Sequence, residues 1–254
     1  MKKNLIISLV VIMITTLTLS AKTVAKIPEA SGIVYIEKTD MLIVVNDEGW
    51  IYKLTPKGDI KRKFFLGKYD LEGITYDKKN DKLLVAVEGK ESILILNRAS
   101  LELEKEIKIK RKFDGVEVLK KSKKTGLEAI AIDTNGDIYV SNQSKITYDK
   151  KLKENASVIL RVGSLEKDKT KIKEIINHGY IDIAGMTFHD GYLYMTSDKK
   201  NLLIKYDIKK NKTIKEIKLD KSAQEGICFD NDGHIYIADD NGQILRYKTK
   251  KLGI

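Results

Sequence analysis

One short phrase recurs five times along the chain: Ala30-Ser31-Gly32-Ile33, Leu71-Glu72-Gly73-Ile74, Leu127-Glu128-Ala129-Ile130, Ile183-Ala184-Gly185-Met186 and Gln224-Glu225-Gly226-Ile227. The small third residue falls at 32, 73, 129, 185 and 226, giving steps of 41, 56, 56 and 41. Self-similarity on this scale constrains the chain to a repeat architecture. Each copy opens a run such as Gly73-Ile74-Thr75-Tyr76-Asp77. A polar turn, a second apolar run ending in an acid or amide, and two further runs follow. Short runs rich in β-branched and aromatic residues, separated by Asn/Asp/Gly turns, read as antiparallel strands. Asn135-Gly136, Asp190-Gly191, Asp232-Gly233 and Asn241-Gly242 are hairpin signals.

Four strands per unit and five units describe an all-β, five-bladed β-propeller of four-stranded antiparallel blades. A solenoid would show a shorter repeat. The last unit has three strand signals after Gln224, so the ring would close by borrowing an outermost strand, Thr23 to Ile27, from the N-terminus.

Residues 1–21 read as a signal peptide or signal anchor, and residues 22–254 as the propeller domain. Lys2 and Lys3 precede an apolar stretch from Leu5 to Leu19, followed by small residues. Export to the periplasm or cell envelope is therefore expected, with the anchor retained if the leader is not cut. No cysteine follows the apolar stretch, which argues against a lipoprotein anchor. A cut after Ala25 would remove the closing strand, whereas a cut near Ser20 or Ala21 would spare it. Cys228 stands alone in an apolar run and is expected to be a small core residue.

The formal charge is +11, mostly from lysine. No arginine-plus-aromatic stripe accompanies it, so a nucleic-acid groove is not expected. A solvated lysine surface is, with attraction to an anionic membrane surface as a further reading. Nothing in the sequence calls for an oligomer, and a monomer is expected.

In a propeller the first strand of each blade lines the central channel, and the second returns beside it. The start of strand one and the end of strand two therefore share one mouth. Glu72, Glu128 and Glu225 open strand one in units two, three and five. Strand two ends on Asn46-Asp47, Glu88, Asn142, Asp198 and Asp239-Asp240. Gathered carboxylates repel and are costly to desolvate, and a cation relieves both costs. Oxygen donors without paired His or Cys favour Ca²⁺, with Mg²⁺ or Mn²⁺ behind it. The expected metal ligands come from Glu72, Glu128, Glu225, Glu88, Asn142, Asp198 and Asp239. The competing reading makes these acids solvated strand ends or lysine partners.

Other signals carry less. Asp230-Asn231-Asp232-Gly233 resembles the start of an EF-hand loop but lacks its later ligands and reads as a turn. His178, His189 and His234 have no metal-ligand spacing, and no nucleophile motif is present. Tyr35, Tyr76, Phe188 and Phe229 recur at matching positions and are expected to pack in the core. Trp50 and Tyr52 are expected to pack as well.

The five phrases, together with Gly233-His234-Ile235-Tyr236-Ile237, resemble the SdiA-regulated (YjiK-like) family of bacterial envelope β-propellers. The resemblance covers nearly everything after the leader. It implies a five-bladed propeller, an envelope location and a calcium site. Glu72, Glu128 and Glu225 match the family's acidic positions. Glu88, Asp198 and Asp239 match places where the family carries acids, and Asn142 stands where it has one. The family's name refers to gene regulation and implies no chemistry. The pattern is also similar to calcium-dependent propeller hydrolases of the gluconolactonase and phytase type.

Three functions follow. The first is an exported calcium-binding module whose rim loops, above all Gln143 to Asn155, hold an unidentified protein or small molecule. The second is a calcium-dependent hydrolase of lactones or phosphoesters, with Glu88 or Asp239 as base. The third is salt-sensitive binding to anionic surfaces.

Overall fold

The computed structural model describes residues 21–119, 126–149 and 151–254. The leader, apart from Ala21, lies outside the described residues. No helix among the described residues is long and apolar enough to cross a membrane.

Strands account for nearly all regular structure. The N-terminal strand is β1 (Lys22–Lys26). Four strands of the first unit follow: β2 (Ala30–Ile36), β3 (Met41–Asn46), β4 (Trp50–Leu54) and β5 (Ile60–Phe65). The second unit holds β6 (Leu71–Asp77), β7 (Lys82–Val87), β8 (Ser92–Asn97) and β9 (Leu103–Lys110). A small hairpin, β10 (Lys112–Phe113) and β11 (Val116–Glu117), leads to the third. That unit comprises β12 (Leu127–Ile132), β13 (Ile138–Asn142), the short β14 (Ile146–Thr147), β15 (Ala156–Val162) and β16 (Lys169–Ile176). Next come β17 (Ile183–His189), β18 (Tyr192–Ser197), β19 (Leu202–Asp207) and β20 (Lys212–Lys218). The last are β21 (Gln224–Phe229), β22 (His234–Asp239) and β23 (Gln243–Lys248).

Three sheets have four strands each, in the orders β2-β3-β4-β5, β17-β18-β19-β20 and β1-β23-β22-β21. The third is closed by the N-terminal strand, with Lys22 opposite Arg246 and Lys26 opposite Gln243. Ala25 and Ile27 are buried in the cluster that also holds Leu42, Tyr52 and Tyr236. The second and third units are fused: β9 and β16 pair in parallel, Lys108 to Lys110 against Lys169 to Lys171, making a nine-stranded sheet with β14 at its side.

The strands that open with the repeated phrase pack in a closed circle. β2 contacts β6, β6 contacts β12, β12 contacts β17, β17 contacts β21, and β21 returns to β2. This is an all-β architecture of propeller type. The small residue of the phrase explains itself here. A Cβ on Gly73 would lie 2.6 Å from Ile130 N, 2.7 Å from Glu128 O and 2.8 Å from Ala129 Cα. One on Gly226 would lie 2.6 Å from Ile33 N and 2.8 Å from Gly32 Cα. The recurring glycine is thus the point where one inner strand presses its backbone on the next. Hydroxyls tie the same joints. Ser141 accepts from Ala129 N and donates to Ile183 O, both at 2.9 Å, and Thr196 donates to Glu225 O at 2.6 Å.

Aliphatic clusters fill the spaces between neighbouring units. Examples are Val34, Ile43, Ile74, Leu83 and Leu94 between the first and second, and Tyr194, Leu203, Ile227, Ile235 and Tyr247 between the fourth and fifth. Cys228 is a free, buried thiol, as expected of a small core residue.

Candidate metal centre at one mouth of the ring

Every copy of the phrase is a break in strand register. Pairing slips between Ala30 and Gly32, Leu71 and Ile74, Leu127 and Ile130, Ile183 and Gly185, and Gln224 and Ile227. A bulge turns a side chain away from the sheet's normal alternation. The bulged residues include Glu72, Glu128 and Glu225, all of which line one cavity at this mouth.

The second strands supply the rest through a common rule. Asn46, Val87, Asn142, Ser197 and Asp239 end their strands paired with Ala30, Leu71, Leu127, Ile183 and Gln224. In four of the five units the residue one step later turns inward, while Asp198, an expected ligand, does not line the cavity. Asp47, Glu88, Gln143 and Asp240 line the cavity, and Asp198 acts electrostatically on Glu225.

The cavity measures about 170 Å³, and Ser31 completes its lining. Among the described residues, no lysine or arginine lines it. Single carboxylate oxygens of Glu72, Glu88 and Glu128 lie within 4.8 Å of one another, as do those of Asp47, Asp70 and Glu72. Glu72 therefore belongs to both triads. Either could hold a metal ion.

The electrostatics are those of an uncompensated acidic pit. Burial raises the Glu72, Glu128 and Glu225 carboxyls well above the ordinary range, and neighbouring carboxylates raise them further. Asp47 is pushed up to about 6 by burial and by Asp240, against a lowering hydrogen bond from the Ser31 hydroxyl. Glu88 is pushed up to about 7 by burial, then by Asp70 and Asp47. Asp70, Asp198 and Asp240 are raised too, burial first. A hard cation suits this donor set: oxygens only, mostly anionic, and with no cation among the described residues to neutralise them.

Two further expected ligands are placed elsewhere. Asn142 is fully buried behind the lining, its amide donating to Ala156 O at 2.8 Å and to Asn155 Oδ1 at 3.2 Å. Asp239 is committed to its own turn. It accepts from Asn241 N at 3.0 Å, from the Asn241 and Gln243 side-chain amides at 2.9 Å, and from the Ser222 hydroxyl. Both lie in register, and the inward positions are their successors, Gln143 and Asp240. Sequence reading missed Asp70, whose only signal was its place two residues before Glu72.

The hairpin segment after β9 and the loop after β13 meet on the acidic side of the third unit, where Asn155 N donates to Glu117 O at 3.2 Å. Ser144 O accepts from Asp182 N at 3.0 Å, and Tyr148 O from the Asn177 amide at 3.3 Å.

The opposite mouth is different. A cavity of about 1390 Å³ there is lined by Tyr35, Tyr76, Phe188, Phe229 and His189, among others. The four recurring aromatics are thus inner-wall residues of this cavity as well as packing groups. His189 stacks on Phe229 with ring centroids 4.0 Å apart.

A family model described as SdiA-regulated matches residues 10–243. The chain belongs to the SdiA-regulated family. No curated protein matches it. Among solved structures, this SdiA-regulated chain is similar to a glutaminyl cyclase from Myxococcus xanthus, with a TM-score of 0.62 and 12% identity over 89% of this chain and 94% of that one. It is also similar to a putative gluconolactonase (TM-score 0.57, 11% identity, 89% and 91% covered) and a luciferin-regenerating enzyme (0.53, 16%, 91% and 76%). At these identities the likeness is one of fold.

Proposed function

We propose that this SdiA-regulated protein is an exported, calcium-binding, five-bladed propeller that works as a binding module at the cell envelope. The closed circle of β2, β6, β12, β17 and β21 supports five blades. The basic, then apolar, N-terminal sequence supports export. One observation carries the metal reading. Glu72, Glu128, Glu225, Glu88, Asp47 and Asp240 surround one small cavity to which no described residue brings a basic side chain. The volume of about 170 Å³ suits an ion and its waters, and falls below the roughly 300 Å³ at which small-molecule pockets begin. Within this reading Ca²⁺ stiffens the mouth, and the rim loop over residues 143–155 carries the partner.

The test is calorimetric titration of the mature protein with Ca²⁺, beside Glu72→Gln, Glu128→Gln and Glu225→Gln. Stoichiometric binding weakened by each change is expected. Absence of binding, with a melting temperature indifferent to chelator, rejects the reading.

A calcium-dependent hydrolase is the second reading, favoured by Glu88. Its carboxylate lines the cavity beside Glu72 and Glu128, where it could take a proton from a water held at the metal. Bound Ca²⁺ would polarise a substrate oxygen or lower the pKa of a water. Asp239 is not available as base, because its turn uses both its oxygens. Turnover of lactones or phosphoesters that disappears in Glu88→Gln would select this reading.

A further inference from the structure

The two mouths of the ring are separate chambers. Among the described residues, none lines both cavities. Between them the inner strands press backbone on backbone at Gly73 and Gly226. The larger cavity, of about 1390 Å³, therefore has its own floor and its own walls.

Aromatic rings dominate those walls. Tyr35, Tyr76, Phe188 and Phe229 come from the first, second, fourth and fifth units. Hydrogen bonds to Asp40 and Asp81, at 2.9 Å and 2.6 Å, tether the Tyr35 and Tyr76 hydroxyls. His189 lies flat on Phe229, with ring centroids 4.0 Å apart and planes 3° from parallel. Burial lowers the His189 pKa, so this imidazole is neutral at pH 7. In the third unit the matching position is Ile132, and the circle of aromatics is open there. On that side the cavity runs on between the second and third units, past Ile95 and Val162.

Thr75 adds a polar group with no partner. It lines the cavity although it is only 8% exposed, and its hydroxyl bonds no described residue. The oxygen is not among the atoms sealed inside the protein, so it opens on the cavity. A hydroxyl so placed is costly unless something in the cavity meets it. The charged residues around the cavity are largely matched. Lys78 pairs with Glu37, Lys82 with Glu104 and Arg161 with Asp137. Asp77 and Asp230 accept from N–H groups of their own turns. A concave site walled by rings, with few free polar groups and no concentration of one charge, is suited to a small organic molecule.

We propose that the cavity opposite the acidic pit binds a small uncharged molecule with a flat aromatic ring, which packs against these side chains and shares a hydrogen bond with the Thr75 hydroxyl. The site uses no metal, and it stands whether or not the pit takes Ca²⁺.

The experiment is equilibrium dialysis of indole and of 2-naphthol against the mature protein, in chelator and in Ca²⁺. Their charged counterparts, tryptamine and 2-naphthoate, are run beside them. Thr75→Val and Thr187→Phe are carried in parallel, with melting temperatures measured first. Thr75→Val keeps the shape and removes the hydroxyl. Thr187→Phe, at a partly exposed lining position, fills the cavity. Indole or 2-naphthol is expected to bind in chelator and equally in Ca²⁺, roughly fivefold more weakly in Thr75→Val and not at all in Thr187→Phe. Wild type that binds neither compound overturns the proposal, as does undiminished binding by either variant. Tighter binding of tryptamine or 2-naphthoate overturns the assignment of an uncharged ligand. Binding that requires Ca²⁺ moves the ligand to the acidic mouth and overturns the proposal as well.

Discussion

Asp239 and Asp240 are adjacent carboxylates with opposite surroundings. Asp239 is fully buried and takes hydrogen bonds from Asn241, Gln243 and Ser222, whereas Asp240 lines the acidic cavity. Asp239→Ala should leave several buried donors unsatisfied and cost about 2–3 kcal/mol. Its Ca²⁺ affinity should change little. Asp240→Ala should do the reverse, holding stability and weakening Ca²⁺. Thermal melts and calorimetry on both variants check the pair.

Metal-free protein should lose stability as pH rises. The ordinary carboxyl values of Asp47 and Glu88, 3.8 and 4.5, move to about 6 and about 7 in the fold. Between those limits the folded state holds more protons than the unfolded one, so stability falls with rising pH. The contribution is fully present below the unfolded values and is gone above about 7. In chelator, the melting temperature should therefore drop from pH 5 to pH 8. Saturating Ca²⁺ should flatten or reverse that slope, because the cation favours the ionised carboxylates. Buried His178, lowered to about 4, opposes this slope below about pH 6.5, so the slope is read against Glu88→Gln, and an unchanged slope in that variant would contradict the description of the pit.

Glu128→Gln should separate stability from binding. The amide removes one charge from a buried cluster that also contains Glu72 and Glu88. Metal-free protein should then melt a few degrees higher, since a gain of about 1 kcal/mol shifts a chain of this size by roughly 2–4 °C. The same variant should bind Ca²⁺ at least tenfold more weakly. Melting curves with and without Ca²⁺ should cross over between variant and wild type.

Gly73→Ala should be costly even though it adds one methyl group. Its Cβ would meet backbone atoms of residues 128–130 at 2.6–2.8 Å, and backbone cannot swing aside. A loss of roughly 1–3 kcal/mol is expected, with a weakened metal site, because Glu72 and Glu128 flank the joint. Urea denaturation measures the first effect and calorimetry the second.

N-terminal processing should spare β1. A chain that begins at Ala21 keeps all of β1 opposite β23, whereas one that begins at Lys26 loses Lys22 to Ala25. Recombinant 26–254 should unfold at markedly lower temperature than 21–254. Equal melting temperatures would remove the argument for an early cut.

The repeat made the fold legible, because Gly32, Gly73, Gly185 and Gly226 sit where inner strands press together. That requirement is local, and it leaves a trace in the sequence at each step. Glu72, Glu128 and Glu225 were legible for the same reason, since they belong to the phrase. The second-strand acids were harder. Where two polar residues adjoin, as in Asn142-Gln143 and Asp239-Asp240, one caps the turn and the other faces the pit. Only register decides which, and a one-residue slip exchanges them. The bulges were invisible too, because they come from pairing with another strand. So was the parallel contact of β9 with β16, which depends on two strands some 60 residues apart.

The pairing of β1 with β23 has a consequence for the order of events during synthesis. Thr23 bonds Gln243 across 220 residues of chain. The first strand to leave the ribosome therefore waits for the last one, and the ring stays an open arc until translation is almost finished. Joining the ends is a contact of very long sequence separation, the kind that slows folding. The nascent chain thus keeps its last sheet unfinished until residues 243–248 have been made.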